Sequence, residues 1–207
     1  MKTPLLAATL TLAAAAALTF AHTPDAFAAA TVGQPAPALK LVDSTGKTRS
    51  LTDFAGKTVV LEWTNHECPF VKKHYGAANM QAQQRSATVE GVVWLTVNSS
   101  APGKQGHVDG AAAERIRGQA RAAQTAYLLD PDGTAGRTYD AKTTPHMYVI
   151  DPKGVLRYAG AIDSIPSADT ADIAKATQYV PQALAQLAAG KPVSVTVTRP
   201  YGCSVKY

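Results

Sequence analysis

Apolar residues in this 207-residue chain come in short continuous runs separated by Gly, Pro and polar punctuation, and stretches of helical period alternate with them. The run TVVLEW over 58–63 follows the turn Ala55-Gly56-Lys57 and predicts a buried central strand, as does VVWLTVN over 92–98. Between them Val71, Tyr75 and Ala78 fall on one face, predicting a helix from Pro69 to about Gln84. A Gly-rich, polar loop over 99–110 precedes a helix over 111–123 and a short strand at Tyr127–Leu129. HMYVID and VLRYAG, joined by Asp151-Pro152-Lys153-Gly154, read as a β-hairpin. A last helix is expected over 168–189, with Ile173, Ala176, Val180, Leu184 and Leu187 at spacings of three and four and Pro181 kinking or splitting it. Val193, Val195 and Val197 then alternate as an edge strand. The pattern is α/β: a central mixed β-sheet flanked by helices.

The first residues change the picture. Lys2 precedes an uncharged Ala, Leu and Thr run from Thr3 to Ala21, and Ala26-Phe27-Ala28 offers small residues to a signal peptidase. A signal peptide over 1–28 and one domain over 29–207 are expected, hence export, with the periplasm as the expected compartment and no stable membrane anchor after cleavage. An uncleaved anchor is the alternative, weakened because Ala is only weakly apolar. The net charge of +5 is carried by scattered residues, and no basic stripe interleaved with aromatics points to nucleic acid.

Two cysteines, Cys68 and Cys203, remain in a chain bound for an oxidising compartment. No C-x-x-C pair or zinc cluster accompanies them, and no cofactor is expected. Cys68 follows the strand ending at Trp63 and the loop Thr64-Asn65-His66-Glu67, and it precedes Pro69, a residue favoured at the first helical position. That spacing sets the sulfur at a helix N-terminus, near the amides of Phe70 and Val71, where backbone donors and the helix dipole favour thiolate. His66, Lys72, Lys73 and His74 would add to this and Glu67 would oppose it. Thr144-Pro145, at a strand entrance, is a candidate cis peptide.

Taken with Trp63-Thr64-Asn65-His66-Glu67-Cys68-Pro69-Phe70-Val71, Lys73-His74-Tyr75, the Trp94–Asn98 strand, Thr144-Pro145 and the tail Gly202-Cys203-Ser204-Val205-Lys206, the chain resembles the thioredoxin superfamily. Within it, the resemblance is to redoxin-domain, peroxiredoxin-like (AhpC/TSA-related) proteins over nearly the whole mature chain. The resemblance implies a thioredoxin-like fold and thiol–disulfide exchange with protein or small-molecule thiols. Cys68 would be the nucleophile, Cys203 a resolving or structural partner, and Thr144, Pro145, Trp63, Asn65 and His66 the substrate-facing surround. Thr144-Pro145 would offer backbone to an extended substrate by strand addition. Val71 stands where a thioredoxin carries its second cysteine, so turnover needs Cys203 or an external thiol.

Other readings compete. A peroxiredoxin-type peroxidase would want Thr and Pro where this chain has Asn65 and Leu61. A Sco-like copper site could draw on His66, Cys68, His74, His146 and Met147, although Thr64 replaces that motif's first cysteine. A non-catalytic interaction module would keep the fold alone.

Overall fold

The computed structural model describes residues 29–207, so the signal-peptide expectation over 1–28 lies outside the described residues. Strands β1 (Lys40–Asp43) and β2 (Thr48–Ser50) form a hairpin ahead of β3 (Val59–Trp63). Helices α1 (Pro69–Gly76) and α2 (Asn79–Val89) follow, then β4 (Val93–Asn98), α3 (Gly110–Ala120) and β5 (Ala126–Leu129). The second half holds α4 (Thr134–Thr138), β6 (Thr143–Thr144), β7 (His146–Ile150), β8 (Leu156–Gly160), α5 (Tyr179–Ala188) and β9 (Cys203–Ser204). The main sheet has seven strands in the order β2-β1-β5-β4-β3-β7-β8, with β3 parallel to β4 and antiparallel to β7. A separate two-stranded ladder pairs β6 with β9. This mixed sheet, with helices packed on it, is the thioredoxin-like architecture expected.

Alternation along β3 and β4 separates two cores. Leu61, Trp63, Leu95 and Val97 meet Tyr139 and Tyr148 on one face, while Val60, Trp94 and Met147 meet Met80 and Val180 from α2 and α5 on the other. Glu62 belongs to the second face by parity and is fully buried. Tyr75 Oη donates to its Oε1 at 2.8 Å, and Trp94 Nε1 to its Oε2 at 2.8 Å, with Gln84 and Thr96 completing the set. Burial lifts its pKa to about 7, against the pull of these four donors. The stabilisation held by the protonated form is complete below the ordinary 4.5 and is lost as pH rises through about 7. Relative to Glu62→Gln, the parent should therefore lose about 2–3 kcal/mol of stability between about pH 5 and about pH 8. Urea unfolding at both values checks this, and parallel pH curves for the two proteins would refute it.

Three sequence expectations are corrected. The single helix from Pro69 breaks at Gly76–Ala78, where Ala78 takes a left-handed conformation (φ 57°) and the Tyr75 carbonyl accepts from the Ala78 amide at 3.1 Å and from Gln81 Nε2 at 2.9 Å. The helix over 168–189 is a short 3-10 segment (Thr170–Lys175) followed by α5, because Gln178 leaves the helical path to pair with Asp163. Pro181 kinks nothing: it lies in the first turn of α5, where no N–H partner is needed. The valine-rich tail makes one parallel bridge, Ala159 to Val197, rather than an edge strand, since the Thr198 hydroxyl takes the next amide, that of Ala161, at 2.8 Å.

Candidate functional site

Cys68 is the N-cap of α1, in extended conformation (φ −67°, ψ 126°), with Pro69 directly after it. The loop that delivers it is shaped by Asn65, whose Oδ1 accepts from the Glu67 amide at 2.9 Å and whose carbonyl accepts from the Cys68 amide at 3.0 Å. Asn65 Nδ2 also reaches the Gln105 carbonyl at 3.3 Å, tying the loop to the segment before α3.

The Thr144-Pro145 bond is cis, and the Cys68 thiol donates to the Thr144 carbonyl at 3.1 Å. Thr144 pairs in antiparallel register with Cys203, and Thr143 with Ser204. The backbone edge expected to receive an extended substrate is thus occupied by the chain's own C-terminal segment. Both cysteines are free thiols. Although burial raises its pKa, the net effect at Cys68 is a lowered one: the Cys203 thiol, the Val71 amide, the Cys203 backbone and the Thr144 side chain all favour the thiolate. Cys203 moves the other way, to about 11, through burial and then through its hydrogen bond to Cys68 and the charge there, which Lys206 only partly offsets. Of the two thiols, Cys68 is therefore the first to give up its proton.

The predicted electrostatic helpers are placed differently. Lys73 and His74, both fully buried, turn away to Asp163, with Lys73 Nζ at 3.3 Å and His74 Nε2 at 3.6 Å from its Oδ2. Tyr201, two residues before Cys203, donates to Asp163 Oδ1 and lies under Lys73 Nζ, 5.8 Å from its ring centroid. This cluster fastens the tail to α1. At the other end Tyr207 donates to the Ala141 carbonyl at 2.7 Å and stacks under the Arg137 guanidinium, 4.6 Å from the ring centroid. Sequence reasoning missed Asp163, Tyr201 and Tyr207 as site-building residues; the aromatics flanking Cys203 were the available signal.

Of the remaining expected residues, Trp63 is enclosed in the core, its Nε1 donating to Ser99 Oγ at 3.0 Å, so it supports the loop instead of facing a substrate. His66 is part-exposed beside Glu67 and lines a cavity of about 500 Å³ with Thr64, Val71, Lys72 and Tyr127, a cavity that neither cysteine borders. The copper set does not converge. His74 is held by Asn79 at 2.8 Å, His146 contacts Tyr148 Oη at 3.0 Å, and Met147 lies in the core. Among the described residues no three His, Cys, Asp or Glu side chains group to hold a metal ion.

A cysteine at a helix start facing a cis-proline, on a mixed sheet of this order, defines a thioredoxin-like redoxin. The chain belongs to the AhpC/TSA family, whose model matches residues 32–159, more than half of the sequence. That span holds Cys68 and Thr144-Pro145, whereas the Cys203 tail lies beyond it. No curated protein matches the chain. The fold is similar to that of a hypothetical protein from Sinorhizobium meliloti, at 21% identity and TM-score 0.72 over 86% of this chain and 94% of that one. An uncharacterized conserved protein from Geobacillus kaustophilus is similar at 22% identity and TM-score 0.70, over 86% and 92%. The thioredoxin domain of a thiol-disulfide oxidoreductase from Bacteroides vulgatus is similar at 18% identity and TM-score 0.50, over 70% and 96%.

Proposed function

We propose that this chain is an exported thiol–disulfide oxidoreductase, acting in the periplasm, whose redox centre is the pair Cys68 and Cys203. The observation that carries the reading is the register of Thr144 with Cys203 beside the cis-proline, with Cys68 bonded to that same Thr144 carbonyl. Because Val71 replaces a local second thiol, a sulfur from the tail completes the dithiol. Cys68, the more readily ionised of the two, is the internal nucleophile: when Cys203 is held in a mixed disulfide, the Cys68 thiolate attacks Cys203 Sγ, the Cys68–Cys203 bond forms as the mixed disulfide breaks, and the other sulfur leaves as a thiolate. Asn65 and His66 shape the loop, and the Thr144 side-chain hydroxyl, buried and without a partner, is a donor available to the Cys68 thiolate. The Thr144-Pro145 edge, assigned to substrate from sequence, instead seats Cys203. The partners are protein or small-molecule thiols and disulfides.

Incubation with oxidised glutathione, alkylation of remaining thiols and peptide mapping without reductant test the proposal. The expected product is an intramolecular Cys68–Cys203 disulfide, reopened by reduced glutathione, whereas Cys68→Ser and Cys203→Ser each stop short of it, with no release of the second glutathione. Failure to form that bond sinks the reading. A bond that resists reduced glutathione altogether makes the pair a structural bridge.

A further inference from the structure

We infer that thiols from outside exchange with the pair at Cys203, and that Cys68 never carries the mixed disulfide. This rests on the redox-pair reading above and adds to it the sulfur of entry.

Access sets the order. Cys68 has 0% of its surface exposed, closed in by its own loop, the Thr144 carbonyl and the tail strand β9. Cys203, in that ladder opposite Thr144, is part-exposed. A groove of about 560 Å³, lined by Asp163, Ser164, Arg199 and Tyr201, also borders Thr143 of β6 and Gly202, the residue before Cys203, although neither sulfur lines it. The cavity on the His66 side touches neither sulfur. The tail that covers Cys68 is held at both ends, by Tyr201 on Asp163 and Tyr207 on Ala141, so the cover is part of the fold.

In the disulfide form, a substrate thiolate attacks Cys203 Sγ. The Cys68–Cys203 bond breaks as the new sulfur–sulfur bond forms, and the electron pair leaves on Cys68 Sγ. A second substrate thiolate then attacks the substrate sulfur of the mixed disulfide, releasing the substrate as a disulfide. Cys203 takes that electron pair and a proton from water. Two thiols are oxidised and the protein disulfide is reduced to the dithiol. While Cys203 is held in the mixed disulfide, the Val71 amide, the Cys203 backbone and the Thr144 side chain receive the leaving Cys68 thiolate. In the reverse step the attacking thiolate is the enclosed Cys68, which reaches Cys203 and no sulfur outside.

The purified disulfide form, treated briefly with reduced glutathione, quenched in acid and alkylated with N-ethylmaleimide, should carry glutathione on the Cys203 peptide and maleimide on the Cys68 peptide. A second arm holds where that adduct is short-lived. Reduced Cys68→Ser should take up glutathione from oxidised glutathione at Cys203 at least about tenfold faster than reduced Cys203→Ser does at Cys68. Glutathione on Cys68, or a Cys203→Ser protein that reacts as fast as Cys68→Ser, overturns the inference while leaving the redox pair standing. A starting protein without the Cys68–Cys203 bond would instead sink the redox-pair reading itself.

Discussion

Gly202→Ala is expected to slow closure of the Cys68–Cys203 disulfide by about 100-fold, the scale on which misplacing a reacting group by an ångström acts. Gly202 has φ +132°, and a Cβ there would overlap the Thr144 carbonyl oxygen and lie 2.8 Å from its carbon. Both are backbone atoms of the strand that pairs with Cys203, so no side chain can rotate aside. The tail must lift, and it carries Cys203 with it. The Cys68 thiol then loses the Cys203 hydrogen bond, and its pKa should climb toward the ordinary 9.0. Gly46→Ala is the matched control: Gly46 also has positive φ (+87°), but a Cβ there meets nothing within 4 Å. Following disulfide formation and the pH dependence of iodoacetamide labelling in both variants decides the matter. Unchanged closure in Gly202→Ala would mean that contact with Thr144 does not set the tail's position.

Asp163→Ala should cost about 3–5 kcal/mol, the usual result of leaving a buried charge without its counter-ion. Lys73 and Asp163 side chains are both 0% exposed, and among the described residues the other oxygen bonded by Lys73 Nζ is the Ile165 carbonyl at 3.3 Å. Burial holds His74 near 4, with Asp163 raising it and Lys73 lowering it, so at neutral pH His74 does not share the compensation of Lys73 or Asp163 by charge. Tyr201 loses its acceptor in the same substitution, so the tail should loosen and Cys68 become open to bulky maleimides. Lys73→Met on the Asp163→Ala background removes the stranded cation and should recover more than half of the loss. Urea unfolding of the single and double variants measures it. Additive losses in the double variant would show that the two groups do not act as a pair.

The strand β3, the helix start at Pro69 and the β7–β8 hairpin were readable because each rests on local chemistry: a β-branched run, a proline without an N–H to satisfy, a Pro-Lys-Gly turn. Cys68 was legible for the same reason, being fixed by its immediate neighbours. The hairpin of β1 and β2 escaped notice because its order comes from one side chain: Asp43 bonds Thr45, Lys47 and Arg49 across the turn. Lys73 and His74 read as helpers of the thiolate, yet facing Asp163 they serve the tail. That assignment depends on a carboxylate far along the chain, which no local pattern reveals.

Residues near one another in the chain dictated the α/β order and put a sulfur at the mouth of a helix. Whether the second sulfur comes within reach, and which of the two meets the outside, followed only from the folded tail. Its anchors at Tyr201, Gly202 and Tyr207 act on partners distant in sequence, and burial, unlike helix capping, is a property of everything that packs around an atom.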